Sequence, residues 1–303
     1  MIAVFLALGL GILMGSVVLS DRYVDRLENR VELIERRSDE RREDIVVLTQ
    51  RLETLQDFSA QAQERLLDGV LLGEDVVIFE LPRTDGGLRD AVTEAIEGAD
   101  GSVASTILLT ERFALDDETA GAELAEILQS SSTEPAELRL EAAESLGLRA
   151  AAAAAPLEPT RGSSTAQRFA LLVDALREAD FVDTTGEDES LVPSGTAFLV
   201  LGGAAEDPTP GTMALSLDLA RALAIRGAAV QVTETTDSSW SLVGSVRDDA
   251  DVGAAVSTVE AGDSVPGRIA VALGLDLTID GVTGHYGTAD GATAIVPPPT
   301  PDG

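Results

Sequence analysis

Residues 76–109 read VVIFELPRTDGGLRDAVTEAIEGADGSVASTILL, and this stretch decides the fold class. Val76-Val77-Ile78-Phe79 is an unbroken apolar run of strand length, stopped by Pro82 and the Gly86-Gly87 turn. Leu88, Val92 and Ile96 then recur at helical spacing, which predicts an amphipathic helix over 88–96. Val103–Leu109 supplies a second strand. A strand, a helix and a second strand in this order call for a parallel pair with the helix laid on the sheet.

Downstream the alternation continues. Segments 115–129 and 134–148 read as helices, the Ala150–Ala155 run as a helix end or linker, and Pro156, Pro159, Gly162 and Ser163-Ser164 as a loop. Thr165–Ala179 is a predicted helix, Ala197–Leu201 a strand, Thr212–Arg226 a helix and Ala228–Thr233 a strand. Ile269–Leu273 is expected to be the last core strand. Together these predict an α/β domain over 69–296 with a mostly parallel sheet covered on both faces. The Pro-rich tail, 297–303, is expected to be disordered.

Upstream the pattern changes period. From Val24 the apolar positions step by three and four: Val24, Leu27, Val31, Ile34, Ile45, Leu48, Leu52, Leu55 and Leu66. β-branched residues at the first heptad position and mostly Leu at the fourth are the pattern of parallel two-stranded coils. Ser38 and Arg41 interrupt the seam and would fix its register. No Pro or Gly falls between residues 16 and 68, so 21–68 is expected to be a coiled coil pairing two copies of the chain. The alternative is an amphipathic helix folding back on its own domain.

Before the coil, Met1–Leu19 (MIAVFLALGLGILMGSVVL) carries no charge. At about 1.5 Å per residue it reaches roughly 28 Å, close to a bilayer hydrocarbon core. Residues 1–20 are therefore predicted to be a transmembrane helix or uncleaved signal anchor, with a cleaved signal peptide ending near Val18-Leu19-Ser20 as the alternative. Ala3, Ala7, Gly11 and Gly15 form a small-residue stripe that suits close helix packing in lipid, or simply reflects how common such residues are there. Arg22, Arg26 and Arg30 follow the apolar run, and counted literally they place the domain in the cytoplasm.

The full chain has 303 residues, with 53 acidic against 21 basic residues and a formal charge of −32. Such acidity repels phosphate backbones, which argues against nucleic acid as a partner. There is no cysteine, one histidine (His285) and three methionines, so thiol chemistry and multi-histidine zinc catalysis are excluded. Leu201-Gly202-Gly203 lacks the third glycine of a dinucleotide fingerprint and reads as a turn. Asp248-Asp249-Ala250-Asp251 and Glu187-Asp188-Glu189 read as solvated loops before they read as cation sites. Gly281, Gly284 and Gly287 around His285-Tyr286 mark a tight turn or, more sharply, a histidine contact site. No catalytic or cofactor-binding residue emerges, and an enzyme is not expected.

With these residues in view, the chain resembles the actinobacterial copper transport protein B family, known from mycobacteria as a copper-transport outer-membrane protein. The resemblance is carried by Ala3-Val4-Phe5-Leu6-Ala7-Leu8 with Gly9, Gly11 and Gly15, then by Leu72-Gly73 and Val76-Val77-Ile78-Phe79. It returns in Val256-Ser257-Thr258-Val259, Pro266-Gly267-Arg268-Ile269 and Gly284-His285-Tyr286-Gly287-Thr288. It implies a role in copper efflux or homeostasis in the cell envelope, or a second role as a scaffold regulating cell separation through a peptidoglycan hydrolase. It also implies an extracytoplasmic domain, against the arginine count, with the membrane and an envelope protein as partners. Copper as a cofactor rests on this resemblance alone. Copper favours Cys, Met and His ligands, and here the weak candidates are His285 and Met213.

Overall fold

The computed structural model describes residues 2–155, 162–186 and 191–298, with side chains from 3–11, most of 34–67 and nearly all that follows. The chain forms two compact units, Met1–Phe58 and Ser59–Gly303. The first is helical: α1 runs Ile2–Leu67, and its last residues, including the buried Leu67, belong to the second unit.

The expected transmembrane helix is overturned. Among the described residues no helix is long and apolar enough to cross a membrane. From Asp21 onward α1 is dense in Asp, Glu and Arg. Coiling, likewise, is a property of two chains; within one chain α1 is a single helix.

The second unit is built on seven strands: β1 (Asp75–Glu80), β2 (Ser102–Leu109), β3 (Val182–Gly186), β4 (Ala197–Gly202), β5 (Val230–Glu234), β6 (Ser257–Val259) and β7 (His285–Tyr286). Their order is β3-β2-β1-β4-β5-β6-β7. The sheet is mixed: β3 pairs antiparallel with β2 at the edge, while the other five pairings are parallel. A parallel strand needs cover on both faces. β3 (VDTTG) is polar and largely exposed, so only an edge position suits it.

Side-chain alternation divides the core in two. Val77, Phe79, Phe198, Val200, Val230 and Val232 point to a cluster shared with helices α3 (Glu118–Leu128), α4 (Pro135–Ala154), α5 (Gly162–Glu178) and α6 (Thr212–Ala224). Val76, Ile78, Leu199 and Leu201 point the other way, onto α2 (Gly86–Glu97) and α9 (Val265–Ile279). Two short helices, α7 (Leu242–Asp248) and α8 (Ala250–Gly253), lie between β5 and β6. The Ala150–Ala155 run is the end of α4.

Ile269–Leu273, expected as a strand, is the middle of α9. Ser264 caps that helix by accepting from the Gly267 amide, and Pro266 opens it, so a run apolar on several sides becomes a buried helix. The strands toward that edge are the shorter Ser257–Val259, whose three residues are all buried, and then His285–Tyr286. The acidic run at 187–189, part of the Pro156–Gly162 loop and the end of the Pro-rich tail lie outside the described residues.

Close helix packing fixes one position sharply. A Cβ on Gly147 in α4 would lie 2.6 Å from the Ala222 Cβ and 3.1 Å from the Leu219 carbonyl oxygen of α6. Gly147→Ala should therefore cost about 1–3 kcal/mol net of its helix-propensity gain, read as a lower Tm. Gly121→Ala in α3, which meets nothing nearer than 3.9 Å, should be neutral or stabilising.

Candidate functional site

The carboxyl ends of β5 and β6 open on a polar cleft of ≈ 380 Å³. Its walls come from the turn after β5, α7, Glu260-Ala261 after β6 and the Thr288–Asp290 loop after β7. Three non-glycine residues there, Asp237, Ser241 and Ala261, hold left-handed backbone angles (φ 55°, 53° and 50°). Neighbouring contacts hold two of these turns together. Asp263 Oδ1 accepts from both the amide and the hydroxyl of Thr236, each at 2.7 Å.

Arg247 is the hub of the cleft. Its side chain is 4% exposed. Nε donates to Thr258 Oγ1 at 2.9 Å and Nη2 to the Tyr286 carbonyl at 2.9 Å. Nη1 donates to the Asp290 carbonyl at 3.2 Å and to Glu260 Oε1. The other oxygen of Glu260 accepts from the amides of Thr288 (2.9 Å) and Ala289 (2.8 Å). Burial opposes the charge on Glu260, but these amides and Arg247 outweigh it and hold the carboxyl below its ordinary value. A buried charge is tolerable here because nearly every lone pair and proton is matched. Glu234, also buried, accepts from the Val243 amide at 3.0 Å through Oε2, while its Oε1 has no partner.

His285 sits beside this network at the start of β7. Its Nδ1 lies 3.0 Å from Thr258 Oγ1, which also receives Arg247 Nε. Burial, and then the Arg247 guanidinium, push its pKa below 6.5, with a backbone contact at Gly253 opposing them. The neighbouring glycines serve close approach: a Cβ on Gly284 would strike the Tyr286 ring, and one on Gly287 (φ 138°) would strike the Glu260 carboxylate. The ring is held as a neutral structural partner.

Met213, the other weak metal candidate, lies in α6 against the apolar cluster on one face of the sheet, whereas His285 is on β7. Among the described residues no group of three or more His, Asp or Glu is placed to hold a metal ion. Asp249 of the acidic run instead caps α8, accepting from the amides of Asp251 and Val252, and pairs with Arg221 at 2.8 Å. Gly202 and Gly203 form a turn: a Cβ on Gly202 would collide with Leu242.

On α1 the seam residues Ile34, Ile45, Leu48, Leu52, Leu55 and Leu66 are 51–64% exposed in the single chain. Ala3, Ala7 and Gly11 are exposed as well; the side chains of Val24, Leu27, Val31 and position 15 lie outside the described residues. The sequence reading did not single out Arg247, Glu260 or Glu234. One signal was available: Arg247 is the only basic residue between 227 and 267.

Comparison with known proteins now adds the decisive observation. The family described as copper transport outer membrane protein, MctB, matches residues 1–297. The chain belongs to this family. Among curated relatives it is similar to the copper transporter MctB of Mycobacterium tuberculosis and of Mycobacterium bovis, each 32% identical over 97% of this chain and 95% of the relative. The copper transporter MctB of Mycobacterium leprae is 30% identical over 98% of this chain and 96% of its own length. The family match spans α1, the whole sheet and the Arg247 network alike.

Two outcomes follow from the cleft. Arg247→Met should destabilise the chain by about 3–5 kcal/mol in a denaturant titration, because it strips a buried charge network of its hub. His285 binds a proton less readily in the fold than in the unfolded chain, so unfolding free energy should rise with pH up to about 6.5 and then level. His285→Gln should flatten that rise.

Proposed function

We propose that this chain is a non-catalytic envelope protein that serves copper homeostasis through protein contacts, pairing with a second copy of itself along α1. The observation that carries the reading is the row of large apolar side chains, Ile34 to Leu66, left on the surface of a single chain at heptad spacing. Membership of a copper-transport family supports the copper role, and the family description supports the envelope as its place. The chain's chemistry favours an indirect role. It has one histidine, three methionines and no cysteine, and copper prefers those side chains.

Pairing is tested by light-scattering mass on the full chain. The expected value is twice the chain mass, and Leu48→Asp with Leu52→Asp should return it to one copy; a wild-type monomer would overturn the pairing. In cells, deletion should raise cell-associated copper and copper sensitivity, and the paired Asp variant should reproduce both effects. Chained cells with unchanged copper content would instead favour a scaffold for cell separation. Anaerobic Cu(I) titration of the full chain should show no tight site. Sub-nanomolar binding abolished by His285→Ala would overturn the indirect role.

A further inference from the structure

Glu234 leaves one buried carboxylate oxygen without a donor. It ends β5 and stands in the wall of the ≈ 380 Å³ cleft at the carboxyl ends of β5 and β6. The residue is only 6% exposed, so bulk water does not solvate it. Oε2 accepts from the Val243 amide at 3.0 Å, and Oε1 has no partner among the described residues. Leaving a buried acceptor unmatched costs more than a satisfied one contributes, and the cost is greater for a charged group. The terminal torsion of a glutamate is soft, so this carboxylate can turn toward a donor that enters the cleft.

The surrounding charges narrow the chemistry of that donor. Four carboxylates line the cleft, those of Glu234, Asp237, Glu260 and Asp290, against the single cation of Arg247. Arg247 and Glu260 are engaged with each other and with the strand and loop around them. Asp237 and Asp290 are exposed, and neither is in an ion pair among the described residues. The uncommitted charge of the cleft is therefore negative. No group of three or more His, Asp or Glu among the described residues is placed to hold a metal ion, so a bare metal is a poor match. An ammonium group suits it better, because it brings three N–H donors, no acceptor and a positive charge. Sheets of this kind commonly take ligands beyond the strand ends where the strand order reverses, here between β1 and β4. That place is bridged in this chain: the Leu81 amide donates to the Leu201 carbonyl at 2.9 Å and the Asp85 amide to that of Gly203 at 3.0 Å. The opening lies further along the same rim, at β5 and β6.

We propose that this cleft binds an organic ammonium group, presented either by a small free amine or by a lysine of a partner peptide. One N–H meets Glu234 Oε1, and the carboxylates of Asp237 and Asp290 offset the charge. The site is independent of the copper reading and of α1.

The test is calorimetric titration of the full chain with 1,4-diaminobutane and, separately, with trilysine, in about 150 mM NaCl to screen exposed charge. Binding of the diamine assigns the cleft to a free amine; trilysine binding with the diamine silent assigns it to a peptide. Either supports the site if Glu234→Gln weakens affinity about tenfold or more. Glu144→Gln, at an exposed acid outside the cleft, should leave affinity unchanged. Asp237→Asn, at a left-handed position that asparagine adopts readily, should weaken it by up to about fivefold. Glutamine keeps an oxygen for the Val243 amide, so thermal unfolding of Glu234→Gln should match the parent. If that variant fails to fold, Asp237→Asn decides, and no loss there overturns the site. Silence toward both probes, affinity indifferent to Glu234→Gln, or an equal loss with Glu144→Gln would also overturn it. So would equally tight binding of tetramethylammonium, which has no N–H to donate.

Discussion

A sheet buried on both faces must be clad on both, and that constraint organises the second unit. Strands β1 and β4 are apolar at every interior position, so adjacent residues feed opposite clusters. One face takes α2 and α9; the other takes α3 to α6. Because α4 and α6 share a face, they must approach closely enough that Gly147 has no room for a methyl group. The polar cleft exists because the parallel strands end together, leaving their carboxyl-end loops to meet at one rim.

At that rim the chemistry is structural before it is functional. Arg247, Glu260 and the backbone of the last loop satisfy one another, and His285 is held neutral beside them. The Thr258 hydroxyl faces His285 Nδ1 at 3.0 Å and also receives Arg247 Nε. A separate surface feature is the exposed apolar seam of α1. For a protein of a copper-transport family this division of labour is informative. Its folded part is organised around oxygen and guanidinium contacts, not around the soft donors copper prefers.

Much of the fold could be read from the residues. Val76–Phe79 announces its burial by composition alone, and Leu88, Val92 and Ile96 announce a helix by spacing; all are buried as expected. The reading failed where local pattern is ambiguous. Ile269–Leu273 is as apolar as a core strand, and only its context, a Ser264 cap and Pro266, marks it as a helix. β6 and β7 are too short to leave a periodic signal. The apolar opening of α1 has the composition of a bilayer span, but among the described residues no helix is long and apolar enough to cross a membrane. The Arg247 hub was hidden for a different reason. Its partners come from residues 258, 260, 286 and 290, and sequence distance conceals such convergence.

The placement of those partners bears on how the protein is made. Two of the carbonyls that Arg247 needs, those of Tyr286 and Asp290, are synthesised 39 and 43 residues after it. A guanidinium that is buried in the finished fold must therefore wait in water until that later loop arrives. A chain truncated before β7 would leave this buried charge half-matched for good.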